Sequence, residues 1–312
     1  MSGPVPRAEA TAPDLLLRIA ARRRERLAEA GHRHAGQHDA RPPALGSGAL
    51  DRRDNPFLAA LARPSRAGAA AASAAAAAAA TPAIIAEVKM GSPRLGSLQG
   101  RVDPIAQARI YAANGAAALS VVVEPDYFFG SYELLAACRA ASGLPAIAKD
   151  FVVDPVQLVW ARRAGADAVL LIAALYEPEE LVRYARLARG LGLAPLIETH
   201  DAADLGRLAG ELWELVGVNN RDLRTFEVDL ERSIALLPLL PPGALKVAES
   251  GIRDALDVAL LADSGFDALL IGESLLLAED PAATLRALVG CRGQADRSCR
   301  GGEAPTGSRG ST

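Results

Sequence analysis

A chain of 312 residues has room for one large domain or two ordinary ones. Half of its residues are hydrophobic and its formal net charge is −3, which fits a globular protein and lacks the basic excess of a nucleic-acid binder. Three cysteines (Cys138, Cys291, Cys299) without metal-ligand or redox spacing, and four scattered histidines, argue against a zinc site and for a reducing cytoplasm.

The first residues, "MSGPVPRAEATAPD", hold no compact apolar region, so no signal peptide is expected there, and residues 1–13 are expected to be disordered. The segment "PDLLLRIAARRRERLAEAG" predicts an amphipathic helix with Asp14 as cap, Leu15, Ile19 and Leu27 near one face, and Gly31 as stop. "NPFLAALARP" predicts a shorter helix ending before Pro64. Together they form an N-terminal extension, 14–65, expected to pack near the mouth of the domain that follows. Residues 67–86, "AGAAAASAAAAAAATPAIIA", carry no charge and are long enough to span a bilayer. Alanine contributes little to transfer free energy and Pro82 interrupts the run, so residues 66–82 read as a poorly ordered linker and no membrane is expected.

Beyond the linker the texture changes. Apolar runs occur at 83–89, 118–123, 145–149, 168–172, 194–198, 215–219, 245–249 and 268–272, with amphipathic segments such as "PEELVRYARLARGLG" and "DALDVALLADSGF" between them. Continuous apolar strands alternating with helices indicate a parallel sheet covered by helices. Eight such units over residues 83–290 predict an α/β fold, a (β/α)8 TIM barrel with extra N-terminal helices. A doubly wound dinucleotide-binding sheet would need a glycine-rich turn after its first strand, and none is written there. Residues 291–312, polar and rich in glycine and serine, read as a disordered tail.

In a barrel the chemistry sits at the C-terminal ends of the strands. Those ends carry Glu87 with Lys89, Lys149 with Asp150, Glu198, Asn219 with Arg221, Glu249 with Ser250 and Gly251, and Gly272 with Glu273. Side chains two apart share a strand face, so Glu87 and Lys89 point the same way. Alone, they read equally well as an ion pair on an edge strand. Charged or amide residues ending strand after strand favour a shared mouth. Only three of the 34 Lys and Arg are lysine, namely Lys89, Lys149 and Lys246, which singles out positions where a cation able to shift its pKa is wanted. The glycines of "ESGI" and "IGES" place backbone donors after the last two strands, the usual barrel phosphate site, and a side chain added at Gly272 is expected to fill it.

With these motifs assembled, "AEVKMGSP", "FFGS", "AKDFVVDPVQL", "GADAVLLIAA", "LIETH", "GVNNRDLRTFEVDL", "AESGI" and "LIGESL", the chain resembles the indole-3-glycerol-phosphate synthase family of tryptophan biosynthesis over about residues 14 to 290. The resemblance implies conversion of 1-(2-carboxyphenylamino)-1-deoxyribulose 5-phosphate to indole-3-glycerol phosphate with loss of CO2 and water, without cofactor or metal. It implies Lys149 as the acid in ring closure and Glu198 as the acid/base of the dehydration. Glu87 would hold Lys149 and substrate hydroxyls, with Asn219 and Glu249 assisting. Lys89 and Arg221 would bind the anthranilate carboxylate, Ser92, Ser250, Gly251, Gly272 and the Glu273 backbone the phosphate, and Phe128 and Phe151 would line the aromatic pocket. The expected partner is a small phosphorylated molecule, and the chain is expected to work as a monomer or weak homodimer.

The chain departs from the family in two flap loops. "VEPDYFFGS" has Pro125 and Asp126 where Glu and Lys are common, and "SPRLG" lacks a frequent second lysine. A phosphoribosylanthranilate isomerase would need a Cys at a strand end, which this chain does not have. A duplicate acting on a modified anthranilate and a non-catalytic barrel scaffold are the remaining alternatives, the latter disfavoured by the intact set of charged groups.

Overall fold

The computed structural model describes residues 15–30, 48–62, 81–222 and 227–290. The readings of residues 1–13, Asp14, Gly31, nearly all of the 66–82 linker and the 291–312 tail lie outside the described residues.

Among the described residues eight parallel strands close into a barrel. They are β1 (Ala83–Val88), β2 (Ala118–Val122), β3 (Ala146–Lys149), β4 (Ala168–Ile172), β5 (Ala194–Thr199), β6 (Leu215–Asn219), β7 (Leu245–Glu249) and β8 (Ala268–Ile271). Each lies within one residue of the apolar run that predicts it. Every strand pairs with its neighbours in sequence, and β8 closes on β1 with Ala83 opposite Ala268. Helices return the chain between strands, and aspartates cap several of them. Asp254 accepts from the amides of Leu256 and Asp257 at the start of Ala255–Ser264, and Gly265 ends that helix at φ 112.

Strand parity sorts the residues into two cores. Ile84, Ala86 and Val88 of β1 face outward under the helices, while Ile85 faces the barrel interior. Inward positions continue with Ile147, Leu170, Leu196, Leu215, Val247 and Leu270. Counting on by twos from these places Glu87, Lys149, Glu198, Asn219, Glu249 and Gly272 on the inner face at the C-terminal rim.

The N-terminal helices correct one expectation, since only one of them packs at the mouth. Helix α1 (Leu15–Glu29) lies there and buries Leu16, Ile19, Ala20, Arg23 and Leu27. Helix α2 (Pro56–Leu61) closes the opposite end. Its cap Asn55 donates through Nδ2 to the carbonyls of Asp167 (2.8 Å) and Gly192 (3.0 Å), which precede β4 and β5. The Leu50 amide reaches Glu214 Oε1, just before β6, at 2.7 Å. The physical reason is space. The strands begin inside the barrel with small residues, Ala118, Ala168, Ala194 and Ala268, and Phe57, Leu58 and Leu61 fill that layer. These three are fully buried and contribute roughly 1.5–3 kcal/mol each.

Candidate active site

The rim residues enclose a cavity of about 770 Å³ roofed by Leu15, Leu16 and Ile19 of α1. Of the residues singled out in the sequence, Glu87, Lys89, Ser92, Phe128, Lys149, Phe151, Glu198, Asn219, Arg221, Ser250, Gly251, Gly272 and Glu273 line it. Glu249 does not. It lies beneath the wall with no exposure, and touches the cavity through Lys149. Lys246, the third lysine, is also absent from the lining.

Lys149 is the hub. Its Nζ lies 3.3 Å from Glu249 Oε2 and 3.5 Å from Glu87 Oε2, while Lys89 Nζ lies 3.0 Å from Glu87 Oε1. Burial works against the Lys149 charge, but Glu249, Glu87 and Glu198 outweigh it and hold the ammonium above the ordinary lysine range. Burial likewise works to raise Glu87, and the charges of Lys89 and Lys149 overcome it, leaving a carboxylate below the usual range. Glu198 and Glu249 split in opposite directions. For Glu198, burial is overcome by His200, by the charge of Lys149 and by Asn219, which lower it. Glu249 is raised by burial and then by the charge of Glu198, against the pull of Lys149. Its Oε1 meets no hydrogen-bond donor among the described residues, so nothing on that side supports a negative charge. Of the two, Glu249 is therefore the one on which a proton is favoured and Glu198 the one on which charge is favoured.

Two glycines make this packing possible. A Cβ on Gly217 would strike Glu249 Oε1, and one on Gly272 would strike the Glu87 carboxylate. The second point adds to the expectation for a side chain at Gly272: besides the phosphate's place, it would meet Glu87. At the end of β7, Ser250 and Gly251 both adopt left-handed conformations, φ 66 and φ 80, and turn the chain sharply along the cavity wall. A non-glycine residue held there is the kind of local strain that collects at functional loops. Phe128 and Phe151 face one another with centroids 6.1 Å apart, forming an aromatic wall. Arg221 Nη2 lies 3.3 Å from Glu273 Oε2, and Arg94 pairs with the same carboxylate.

Several residues that shape the site were given no role in it by the sequence. Asp150, next to Lys149 and itself part of the cavity lining, accepts a two-pronged contact from the buried Arg23 of α1, at 3.1 and 2.7 Å. It also accepts from Tyr132 (2.9 Å) and Gln157 (2.9 Å), which anchors the end of β3 and hence Lys149. Glu124, fully buried, accepts the amides of Asp126, Tyr127 and Phe128 and so shapes the loop that presents Phe128. The departure at Asp126 acquires a partner, Arg26 of α1 at 2.8 Å. His200 sits between Glu198 and Asp204.

Comparison with known proteins identifies the family. The family model described as indole-3-glycerol phosphate synthase matches residues 54–288. An indole-3-glycerol phosphate synthase of Laribacter hongkongensis is 40% identical over 275 residues, covering 87% of this chain and 97% of its own. Those of Carboxydothermus hydrogenoformans and Azoarcus sp. are 44% and 46% identical over 207 and 211 residues, covering 66% and 67% of this chain and 78% and 80% of theirs. Among solved structures, 3-hexulose-6-phosphate synthase from Salmonella typhimurium aligns with a TM-score of 0.54 at 14% identity, over 67% of this chain and 97% of that one. That likeness speaks for the barrel fold alone.

Proposed function

The chain belongs to the indole-3-glycerol phosphate synthase family, and on that premise we propose how its own residues divide the reaction. The enzyme is a carboxy-lyase that closes the indole ring of 1-(2-carboxyphenylamino)-1-deoxyribulose 5-phosphate, releasing CO2 and water. The ring carbon bearing the carboxylate attacks the ribulose carbonyl, and Lys149 delivers a proton to the oxygen as that bond forms. The bond to the carboxylate then breaks, CO2 leaves, and its electron pair restores the aromatic ring. Dehydration takes one proton from the neighbouring carbon and gives one to the departing hydroxyl. Glu198, the ionised carboxylate, is placed to take the first. Those two protons cancel, so the reaction consumes the one that Lys149 gives.

Glu87 holds Lys149 charged and oriented, Asn219 supports Glu198, and Glu249 acts from beneath as a neutral partner. Lys89 and Arg221 receive the substrate carboxylate. The opposite wall, Ser92, Ser250, Gly251, Gly272 and the Glu273 backbone, receives the phosphate, and Phe128 and Phe151 flank the aromatic ring. The observation carrying this assignment is the position of Lys149 Nζ in the cavity wall, 3.3 Å from Glu249 Oε2 beneath it and 3.5 Å from Glu87 Oε2 beside it. A monomer or weak homodimer working in the cytoplasm stays part of the proposal. Among the described residues no helix is long and apolar enough to cross a membrane. Incubation with the unsubstituted substrate should yield an indole absorbance and a product lighter by one CO2 and one H2O. Unchanged substrate under saturating conditions rejects the assignment.

A further inference from the structure

His200 has no part in the assignments above, yet it occupies a built position. It follows Glu198 by two residues at the end of β5 and shares its face. Its Nδ1 lies within hydrogen-bond reach of Asp204 Oδ2 at 3.3 Å, while its Nε2 lies 3.3 Å from Glu198 Oε1, an ion-pair distance without hydrogen-bond geometry. The same Asp204 oxygen accepts the backbone amide of His200 at 2.9 Å, so ring and backbone are held by one carboxylate. Asp204 is itself fixed, its amide donating to the helix cap Asp201 at 2.9 Å. The ring side chain is only 12% exposed, and that exposure faces a second cavity of about 380 Å³. His200, Asp201, Asp204, Asp222 and Arg232 line this second cavity, and Glu198 does not. Glu198 lines the main cavity, and His200 does not. The contact between them therefore passes through the wall separating the substrate cavity from a second opening.

We propose that His200 is a positioning residue for Glu198: clamped by Asp204, its ring stands as a fixed cation against one oxygen of the carboxylate that serves as the base of the dehydration. The inference rests on the functional reading above and adds a residue to it. The charged groups around the ring are Glu198 on β5, Asp201, Asp204 and Arg207 on the segment that follows, and Asp222 with Arg232 across the second cavity. The two nearest are carboxylates, one on each ring nitrogen. Burial disfavours the imidazolium, but the contacts with Asp204 and Glu198 outweigh it and raise the ring to about 10. His200 and Lys149 are thus the two cations facing Glu198, and only Lys149 gives up its proton to substrate. His200 keeps both of its protons through the cycle.

The test is the pH dependence of kcat for His200→Gln and Asp204→Asn beside the wild type, with thermal melts recorded at each pH. Removing an opposite charge at this distance moves a carboxylate upward by about one to three pH units. The acid limb of kcat should shift upward by about one pH unit or more in His200→Gln and in the same direction by less in Asp204→Asn, with KM near its wild-type value. Imidazole added to His200→Ala should restore part of the lost turnover, entering through the second cavity. An acid limb that stays in place in the folded variants overturns the proposal, whatever happens to the size of kcat. Should His200→Gln fail to fold, Asp204→Asn carries the same test. Wild-type turnover is the control that separates the two readings. Without it the functional assignment fails, whereas with it and an unmoved limb only the role of His200 does.

Discussion

Glutamine substitutions at Glu198 and Glu249 address two carboxyl groups that influence each other and share Lys149 as a neighbour. The same chemical change should have opposite outcomes. Glu198 is held below the ordinary carboxylate range by His200, Lys149 and Asn219 against its burial, so it is ionised and able to accept a proton. Glu198→Gln keeps shape and hydrogen bonding but cannot take that proton, and kcat should fall by ~10²–10⁴. That corresponds to about 3–5 kcal/mol of barrier at ~1.4 kcal/mol per tenfold. Glu249, raised by burial and by the charge of Glu198, is biased toward its neutral form, whose shape an amide reproduces. Glu249→Gln should hold kcat within about tenfold, or ~1.4 kcal/mol.

Stability adds a second readout to the same pair. The folded-state pKa of Glu249 is raised, so its contribution is fully present below the unfolded value and is lost as pH rises towards the folded one. Each pH unit in that window costs on the order of 1.4 kcal/mol, because the unfolded chain releases a proton that the folded chain keeps. Glu249→Gln removes this cost, and its melting temperature should overtake that of the wild type between about pH 5 and pH 7. Steady-state kinetics by indole absorbance and thermal melts over that range provide the check. A Glu249→Gln variant as inactive as Glu198→Gln, with no relative gain in melting temperature at higher pH, would refute the division of charge between them.

Lys149→Arg should keep the fold and bind a substrate analogue while losing ~10²–10⁴ in kcat, since guanidinium is a poor proton donor. A large retained kcat would mean that position 149 supplies charge alone. Gly272→Val should depress kcat as well as raise KM, because the new side chain meets Glu87 before it meets the phosphate wall. A rise in KM at constant kcat would point instead to a side chain lying in the phosphate site. Asn55→Ala removes a cap and leaves the carbonyls of Asp167 and Gly192 without their donor. It should cost about 1–4 kcal/mol in a denaturant melt and leave kcat near wild type, since Asn55 sits at the far end of the barrel.

The barrel was legible because parallel strands covered on both faces are written as unbroken apolar runs, and their C-terminal residues name the rim. The place of α2 was not. An apolar "NPFLAAL" says that the helix is buried, but the cavity it fills is shaped by alanines starting four separate strands. Glu249 was legible as a strand-end acid, yet its burial beneath the wall depends on Gly217, thirty-two residues earlier and on the preceding strand. The anchoring of Asp150 by Arg23 joins residues 127 apart in sequence, and no local pattern announces it. His200 is different. The rule that put Glu87 and Lys89 on one face applies equally to Glu198 and His200, so the signal stood in "LIETH".

The account turns on Lys149 as acid and Glu198 as base toward one bound substrate. A crystal structure of the Glu198→Gln variant holding 1-(2-carboxyphenylamino)-1-deoxyribulose 5-phosphate tests it most directly. The ribulose carbonyl oxygen should lie about 2.6–3.2 Å from Lys149 Nζ, the carboxylate beside Lys89 and Arg221, and the phosphate along Ser250–Gly251 and Gly272–Glu273. A carbonyl oxygen out of reach of Lys149, or a substrate bound with its two anionic ends exchanged, would contradict it.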